Sequence, residues 1–327
     1  MTEKPIRVAV VGAGEFGRNH VRVWRDIPGA ELAGIVDANP KRAESIAAEF
    51  GTRVIRDISS LAAEGVQAVS LAVPTKEHAR IGCQLLDGGF DVLVEKPIAA
   101  SLGEADALIA SAARGRLILQ VGHVERFNPA VTAVQKIVSR PMFFEVHRLG
   151  IFTPRSLDID VVYDVMIHDL DILLSLVNSP VIDLKAVGIP VMTDKVDIAQ
   201  ARIEFEGGTV ANLTASRVST EKVRKMRFFQ QHEYISIDFT RQDVLRVSVD
   251  LKNPQQPINF VKVPTTPEEP LKSELRAFLH AIRTRRAPLV DGAAGLRALE
   301  LADRVNAGIL EHAQRVKQGS FDLQEIR

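Results

Sequence analysis

Gly12-Ala13-Gly14-Glu15-Phe16-Gly17 decides the reading of this chain. The apolar, β-branched run Ile6–Val11 in front of it predicts a buried strand, and Arg18 to Arg25 behind it have helical propensity and spacing. A GxGxxG pattern between a strand and a helix has a physical meaning that the bare pattern lacks. Gly12 permits the tight turn, Gly14 lets the backbone approach a pyrophosphate, and Gly17 lets the helix lie close on the strand. The helix start, with Glu15 and Phe16, offers N–H donors and a partial positive charge to a phosphate. Twenty residues after Gly17, Asp37 ends the second predicted strand, where its carboxylate accepts hydrogen bonds from an adenosine ribose. This arrangement favours NAD, although Lys41 and Arg42 stand close enough to weaken the bias against the 2′-phosphate of NADP.

Outward from this turn, short β-branched runs alternate with helical patterns. Strands are predicted at Ile6–Val11, Leu32–Val36, Ala68–Ala72, Val92–Val94 and Leu117–Val121, with helices at 40–50 and 75–88. Such alternation implies a doubly wound parallel sheet covered on both faces, a Rossmann α/β domain spanning 1–122. Beyond about residue 140 the period changes to two, in seven candidate strands between Phe143 and Val249. That pattern predicts a mainly antiparallel open sheet with flanking helices, an α+β domain over 123–290, with one sheet face solvated or covered by a partner. Helical patterns fall at 164–177, 270–285 and 293–315, and the segment 291–327 is expected to pack back on the first domain.

The bulk numbers exclude several function classes. With 41 basic and 41 acidic residues there is no summed field to hold a polyanion, so nucleic acid is not an expected partner. Cys83 is the one cysteine, which excludes an internal disulfide and a cysteine-rich metal site and fits a reducing compartment. No apolar run approaches the roughly 18 residues of a membrane helix, and Ile6–Val11 runs directly into the glycine turn rather than a signal-peptide cleavage site. A cytoplasmic protein is the expectation. His123, Glu125, His147, His168 and Asp169 show no recognised metal-ligand spacing, so no metal is expected.

Two segments carry groups suited to chemistry at a hydroxyl. Lys96, in Val94-Glu95-Lys96-Pro97, follows a buried strand on the side where open parallel sheets bind ligands, and its ammonium can stabilise developing oxyanion character. Taken alone, its spacing reads first as a solvated loop lysine before a proline. Asp164 and His168, in Asp164-Val165-Met166-Ile167-His168-Asp169, stand four apart on a predicted helix, where the carboxylate can orient the imidazole as a base near neutral pH. Taken alone, Asp164 is equally a helix cap.

Together with the glycine turn and Ala72-Val73-Pro74-Thr75-Lys76-Glu77-His78, these segments resemble the Gfo/Idh/MocA family of sugar and polyol oxidoreductases over nearly the whole chain. The resemblance makes Lys96, Asp164 and His168 the catalytic candidates. It places Pro74, Thr75, His78, Glu95 and Lys96 beside the cofactor, His78 without a catalytic role. Gly122-His123-Val124-Glu125-Arg126-Phe127-Asn128-Pro129 is similar to the branch that oxidises nucleotide-activated N-acetylhexosamines at C3, which implies UDP-N-acetylglucosamine or a related UDP-sugar as substrate. Glu125, Arg126, Asn128 and Arg155, with Lys96, Asp164 and His168, are the expected substrate contacts, and Arg148 is a further candidate. A free sugar or inositol dehydrogenase with the same dyad, or a non-catalytic dinucleotide sensor, are the competing readings. Family members commonly pair through the open sheet, so a homodimer or homotetramer is expected.

Overall fold

The computed structural model describes residues 4–153, 159–253 and 255–318. The chain divides at Phe127/Asn128, Pro267/Glu268 and Leu299/Glu300 into two compact units. In the first, five parallel strands, β1 (Ile6–Val11), β2 (Ala30–Val36), β3 (Ala68–Leu71), β4 (Asp91–Glu95) and β5 (Leu119–Gly122), form a sheet in the order β2-β1-β3-β4-β5. Every residue of β3 and β4 is buried, as strands covered on both faces require. The crossovers carry α1 (Glu15–Trp24), α2 (Pro40–Phe50), α3 (His78–Asp87) and α4 (Leu102–Gly115).

Local chemistry sets the ends of these helices. Asn39 caps α2 by accepting from the Arg42 amide at 3.2 Å, Pro40 fills its first turn, and Gly51 ends it in the left-handed region. At α4 the Ser101 hydroxyl accepts from the Glu104 amide at 3.3 Å while Glu104 accepts from the Ala100 amide at 3.0 Å. These bonds satisfy the Glu104 amide, which the first turn leaves without a helical partner, and the Ala100 amide just before the cap.

The first unit also takes in α7 (Pro270–Thr284) and the start of α8 (Gly292–Gln318). This differs from the division that places 123–290 in the second domain. The cause is packing: α7 carries Leu275, Phe278, Leu279 and Ile282 at helical spacing, and these join Val21, Trp24 and Ile27 in one buried cluster. The Trp24 and Phe278 rings meet edge-on at 6.5 Å between centroids, and the indole N–H donates to Ser70 Oγ at 2.8 Å. In α8 the division falls after Leu299. Gly295 lies against Val121 in the first unit, and Gly308 lies against Leu184 and Ala186 in the second.

Among the described residues the second unit holds eight strands in the order β13-β12-β11-β10-β6-β9-β8-β7. They are β6 (Pro141–Leu149), β7 (Val181–Ile189), β8 (Ile198–Phe205), β9 (Val210–Ser216), β10 (Val223–Gln230), β11 (Glu233–Asp238), β12 (Asp243–Val249) and β13 (Ile258–Val263). All pairings are antiparallel except β6 with β9. Alternate residues such as Phe144, Val146, Leu213, Met226, Phe228, Ile235 and Ile237 are buried. On the buried side α5 (Pro129–Val134) packs on β11 and β12, and a π-helical turn, Val162–Met166, packs on β9 and leads into α6 (Ile167–Leu176). Strand β13 lies outside the seven predicted. It is an edge strand exposed at all residues but Val263, so no buried face imposes a clear two-residue period. No helix among the described residues is long and apolar enough to cross a membrane.

Truncating Phe278 empties a fully buried aromatic site beside the chain's one tryptophan. Phe278→Ala is expected to cost about 3–5 kcal/mol, read as a lower urea midpoint in Trp24 fluorescence; an unchanged midpoint would mean that α7 contributes little to this core.

Candidate active site

The glycine turn closes the C-terminal end of β1. Gly12 has φ +95°, and a Cβ there would overlap the Ala72 carbonyl oxygen just past β3. A Cβ at Gly17 would overlap the Gly12 carbonyl oxygen, so α1 can approach the turn only with glycine at that place. Gly14 is the contrary case: a Cβ there meets nothing within 4 Å, because the residue faces open space. It is the N-cap of α1 and supplies no side-chain cap, so the amides at this helix end are oriented toward an anion. The space is a cleft of about 980 Å³, lined by Gly12, Gly14, Phe16, Asp37, Arg42 and Pro74 among others, and Phe16 is 57% exposed beside it. The cleft is large enough for a dinucleotide, and its walls supply the backbone amides, the carboxylate and the apolar surface that one requires.

Asp37 follows β2, with only 2% of its side chain exposed. Oδ2 accepts from the Ala13 amide at 2.6 Å and Oδ1 from the Asn39 amide at 2.7 Å, while Arg42 bridges both oxygens at 3.1 and 2.7 Å. Burial alone would raise its pKa, but hydrogen bonds from Arg42, Asn39 and Ala13 outweigh burial and hold the carboxyl below the usual carboxylate range. Asp37 is therefore an anion fixed at the rim of the cleft, and a ribose hydroxyl reaching it must share it with Arg42. Arg56, Ser59, Glu77, Arg80 and Gln84 line the same cleft and were not singled out from the sequence. They come from loops and helix faces whose spacing carries no signal of a shared wall.

Pro74 borders the cleft, and Thr75 begins a 3₁₀ turn, Thr75–Glu77, ahead of α3. His78 sits below this surface, 1% exposed, with Nδ1 2.9 Å from the Pro97 carbonyl and Nε2 2.9 Å from the Val73 carbonyl. Burial pushes its pKa down, and a neutral ring has one N–H to donate to one of these oxygens. Glu95, the last residue of β4, is likewise turned inward onto His20 of α1, Oε1 to Nε2 2.8 Å. Lys96 comes next and is half-buried.

In the second unit, Asp164 lies within the π-helical turn and His168 is the second residue of α6. Both are half-buried. The i,i+4 geometry of an α-helix does not apply across this wider turn, and Asp164 is not the cap. Asp160 is, accepting from the Val162 and Tyr163 amides at 2.9 and 3.1 Å. Asn306 of α8 donates to the other Asp160 oxygen at 3.2 Å, and the Tyr163 hydroxyl donates to Asp303 at 2.5 Å. Burial and the Asp303 contact push the Tyr163 pKa up to about 12, so the phenol remains a donor throughout the neutral range. The turn that carries Asp164 is thus held at its N-terminal end by two side chains of α8.

The expected substrate contacts in the 122–129 segment, and Arg148, are buried, and Asn128 and Arg148 have partners within the second unit. Asn128 is 2% exposed; it caps α5 by accepting from the Ala130 amide at 3.0 Å and donates to the Phe239 carbonyl at 3.1 Å. Arg148 is 4% exposed, bridges both Asp169 oxygens at 2.8 and 2.7 Å and lies 5.0 Å from the Phe239 ring centroid. Glu125 and Arg126 lie in a 3₁₀ turn, Val124–Phe127, packed on α7, and each is 8% exposed. Arg155 lies outside the described residues. Lys96, Glu125 and Arg126 belong to the first unit, Asp164 and His168 to the second.

Comparison with known proteins gives a family assignment. Residues 6–123 match the model of the Gfo/Idh/MocA oxidoreductase family with an NAD-binding Rossmann fold, and residues 104–235 match the Gfo/Idh/MocA C-terminal domain. The chain is 38% identical over 314 residues to UDP-N-acetylglucosamine 3-dehydrogenase of Acidithiobacillus ferrooxidans, covering 95% of this chain and 99% of that one. A solved structure of that enzyme superposes with a TM-score of 0.87, covering 94% of this chain and 98% of its own. Scyllo-inositol 2-dehydrogenase (NAD(+)) of Bacillus subtilis is 28% identical over 235 residues, covering 66% of this chain and 69% of that relative. The chain belongs to the Gfo/Idh/MocA family of oxidoreductases and carries its NAD-binding Rossmann fold.

Proposed function

We propose that this protein is an NAD-dependent dehydrogenase that oxidises a UDP-N-acetylhexosamine at C3, with UDP-N-acetylglucosamine as the first substrate to test. The observation that carries this reading is the 38% identity to the Acidithiobacillus ferrooxidans enzyme across nearly both whole chains, together with a cleft whose rim holds the Asp37 carboxylate. NAD is preferred to NADP because a 2′-phosphate brought to Asp37 meets a buried anion already saturated by Arg42 and two amides.

Within this reading the chain positions substrate and moves a proton. His168 takes the proton from the substrate hydroxyl, Asp164 orients that imidazole, and Lys96 stabilises the alkoxide as it develops. The nicotinamide, when bound, supplies the acceptor for the hydride. Glu125, Arg126 and Arg155 are proposed as substrate-side groups, whereas Asn128 acts through the turn that it caps. The similarity to scyllo-inositol 2-dehydrogenase keeps an unactivated polyol as the second substrate class. A non-catalytic dinucleotide sensor would have no chemical use for Lys96 and His168 together. The lone Cys83 and the nicotinamide chemistry suit the reducing cytoplasm.

The second copy of this chain is the proposed partner. Cross-strand register aligns Val210, Phe143, Phe229, Tyr234, Val247 and Phe260 in one row across six strands on the face opposite the buried one. Phe143 and Phe229 stack at 5.8 Å, Tyr234 stands 5.3 Å from Phe229, and Phe260 is 71% exposed. Such a continuous apolar row is suited to burial in a homodimer or homotetramer.

Absorbance at the NADH band, with UDP-N-acetylglucosamine, other UDP-sugars, inositol and free hexoses, tests the substrate; turnover confined to unactivated polyols would overturn the nucleotide-sugar reading. Lys96→Ala and His168→Ala are expected to lower kcat by about 10²–10⁴-fold with NAD still bound, and a near-normal rate in either removes that residue from the mechanism. Gly14→Ala is expected to weaken NAD binding with Tm nearly unchanged, whereas Gly17→Ala lowers both, as read by NAD titration and thermal unfolding. Light scattering is expected to give a dimer or tetramer that Phe229→Glu dissociates; a monomeric wild type contradicts the partner proposed.

A further inference from the structure

Lys96 is flanked in the chain by two residues that are each held by a buried histidine from another element. On one side, His20 of α1, 1% exposed, places Nε2 2.8 Å from Glu95 Oε1. On the other, His78 of α3, also 1% exposed, places Nδ1 2.9 Å from the Pro97 carbonyl. Neither imidazole opens to solvent, and neither has a step in the proposed reaction. Glu95 is itself confined: it pairs with Gly122 of β5, and a Cβ at Gly122 would stand 2.9 Å from Glu95 Oε1 and 3.1 Å from its Cα. Space for the carboxylate therefore depends on glycine at that position.

We propose that His20, Glu95 and His78 form a bracket of positioning residues that fixes Lys96 at the end of β4 for its work on the substrate hydroxyl. The inference rests on the proposed role of Lys96 and extends it to side chains that are turned into the interior of the first unit. A buried carboxylate without partners is costly, and Glu95 has the His20 ring as a partner at 2.8 Å and the positive charge of the next residue nearby. Burial alone would raise the Glu95 pKa, but the hydrogen bond with His20 and the nearby charge of Lys96 hold it down, so the carboxylate stays anionic beside Lys96. A fixed negative charge next to a lysine restrains the ammonium. His20 Nδ1 has no hydrogen-bond partner among the described residues, so the contact with Glu95 is the polar function of that ring which the structure displays.

Four variants separate positioning from mere packing. His20→Phe keeps the ring shape and loses the contact; His20→Gln keeps an N–H able to reach Glu95; Glu95→Gln removes the charge at nearly constant volume; Glu95→Asp retains it. His20→Phe and Glu95→Gln are expected to lower kcat about tenfold or more, with KM for the sugar and the Kd for NAD within about threefold, while His20→Gln and Glu95→Asp recover part of the loss. Independently of turnover, acetic anhydride labelling of the wild-type and variant proteins, quantified for each lysine by mass spectrometry at one pH, reads the environment of Lys96. Its labelling relative to Lys41 is expected to rise about threefold or more in His20→Phe and Glu95→Gln, and to stay near wild type in His20→Gln. Unchanged Lys96 labelling in folded Glu95→Gln and His20→Phe overturns the bracket, whatever their turnover. Absence of wild-type activity on every UDP-sugar overturns the substrate reading instead and leaves the labelling result standing.

Discussion

Close approach of backbone to backbone at the glycine turn is the constraint from which the first unit follows. Gly12 lies against the Ala72 peptide, and Gly17 lies against Gly12 itself, so β1, the start of α1 and the end of β3 share one small volume that no side chain can enter. This compression aims the first amides of α1 into the cleft and brings the β3 exit, with Pro74, to the opposite wall. Asp37 is drawn into the same construction through the Ala13 amide. The site is thus pre-organised by sterics first and by charge second, and ligand binding has little backbone to rearrange.

What the sequence makes legible is whatever repeats with a period or depends on a single residue type. The strand Ile6–Val11 and the helix Pro40–Phe50 coincide with the predicted limits, because β-branched runs, an Asn-Pro start and a glycine stop are local signals. Association of α7 with the first unit was not legible, since it depends on Trp24 meeting Phe278 across most of the chain's length. Strand β13 was not legible because it buries almost nothing.

Among the site residues the division is similar. Glycines, Asp37 and Lys96 stand where their spacing from a strand places them, at strand ends on the first sheet. The polar residues of the 122–129 segment and Arg148 look, in sequence, like groups waiting for a ligand. In the fold, Asn128 satisfies a helix start and Arg148 is neutralised by Asp169. A buried polar group must find partners, and sequence does not reveal which partners are already within the chain. The π-helical turn at Val162–Met166 is equally silent in the sequence, because one extra residue per turn leaves the apolar pattern of a helix almost intact.

The discontinuity of the first unit has a consequence for its birth. A ribosome releases the whole Rossmann sheet long before it releases Phe278, so the emerging sheet has its Trp24 face bare while residues 128–267 of the second unit are being made. Until α7 emerges the core of the first unit lacks Leu275, Phe278, Leu279 and Ile282, and its arrival completes that core. A stop codon just before α7 would leave a chain with its dinucleotide turn intact and an apolar seam open to chaperones and aggregation.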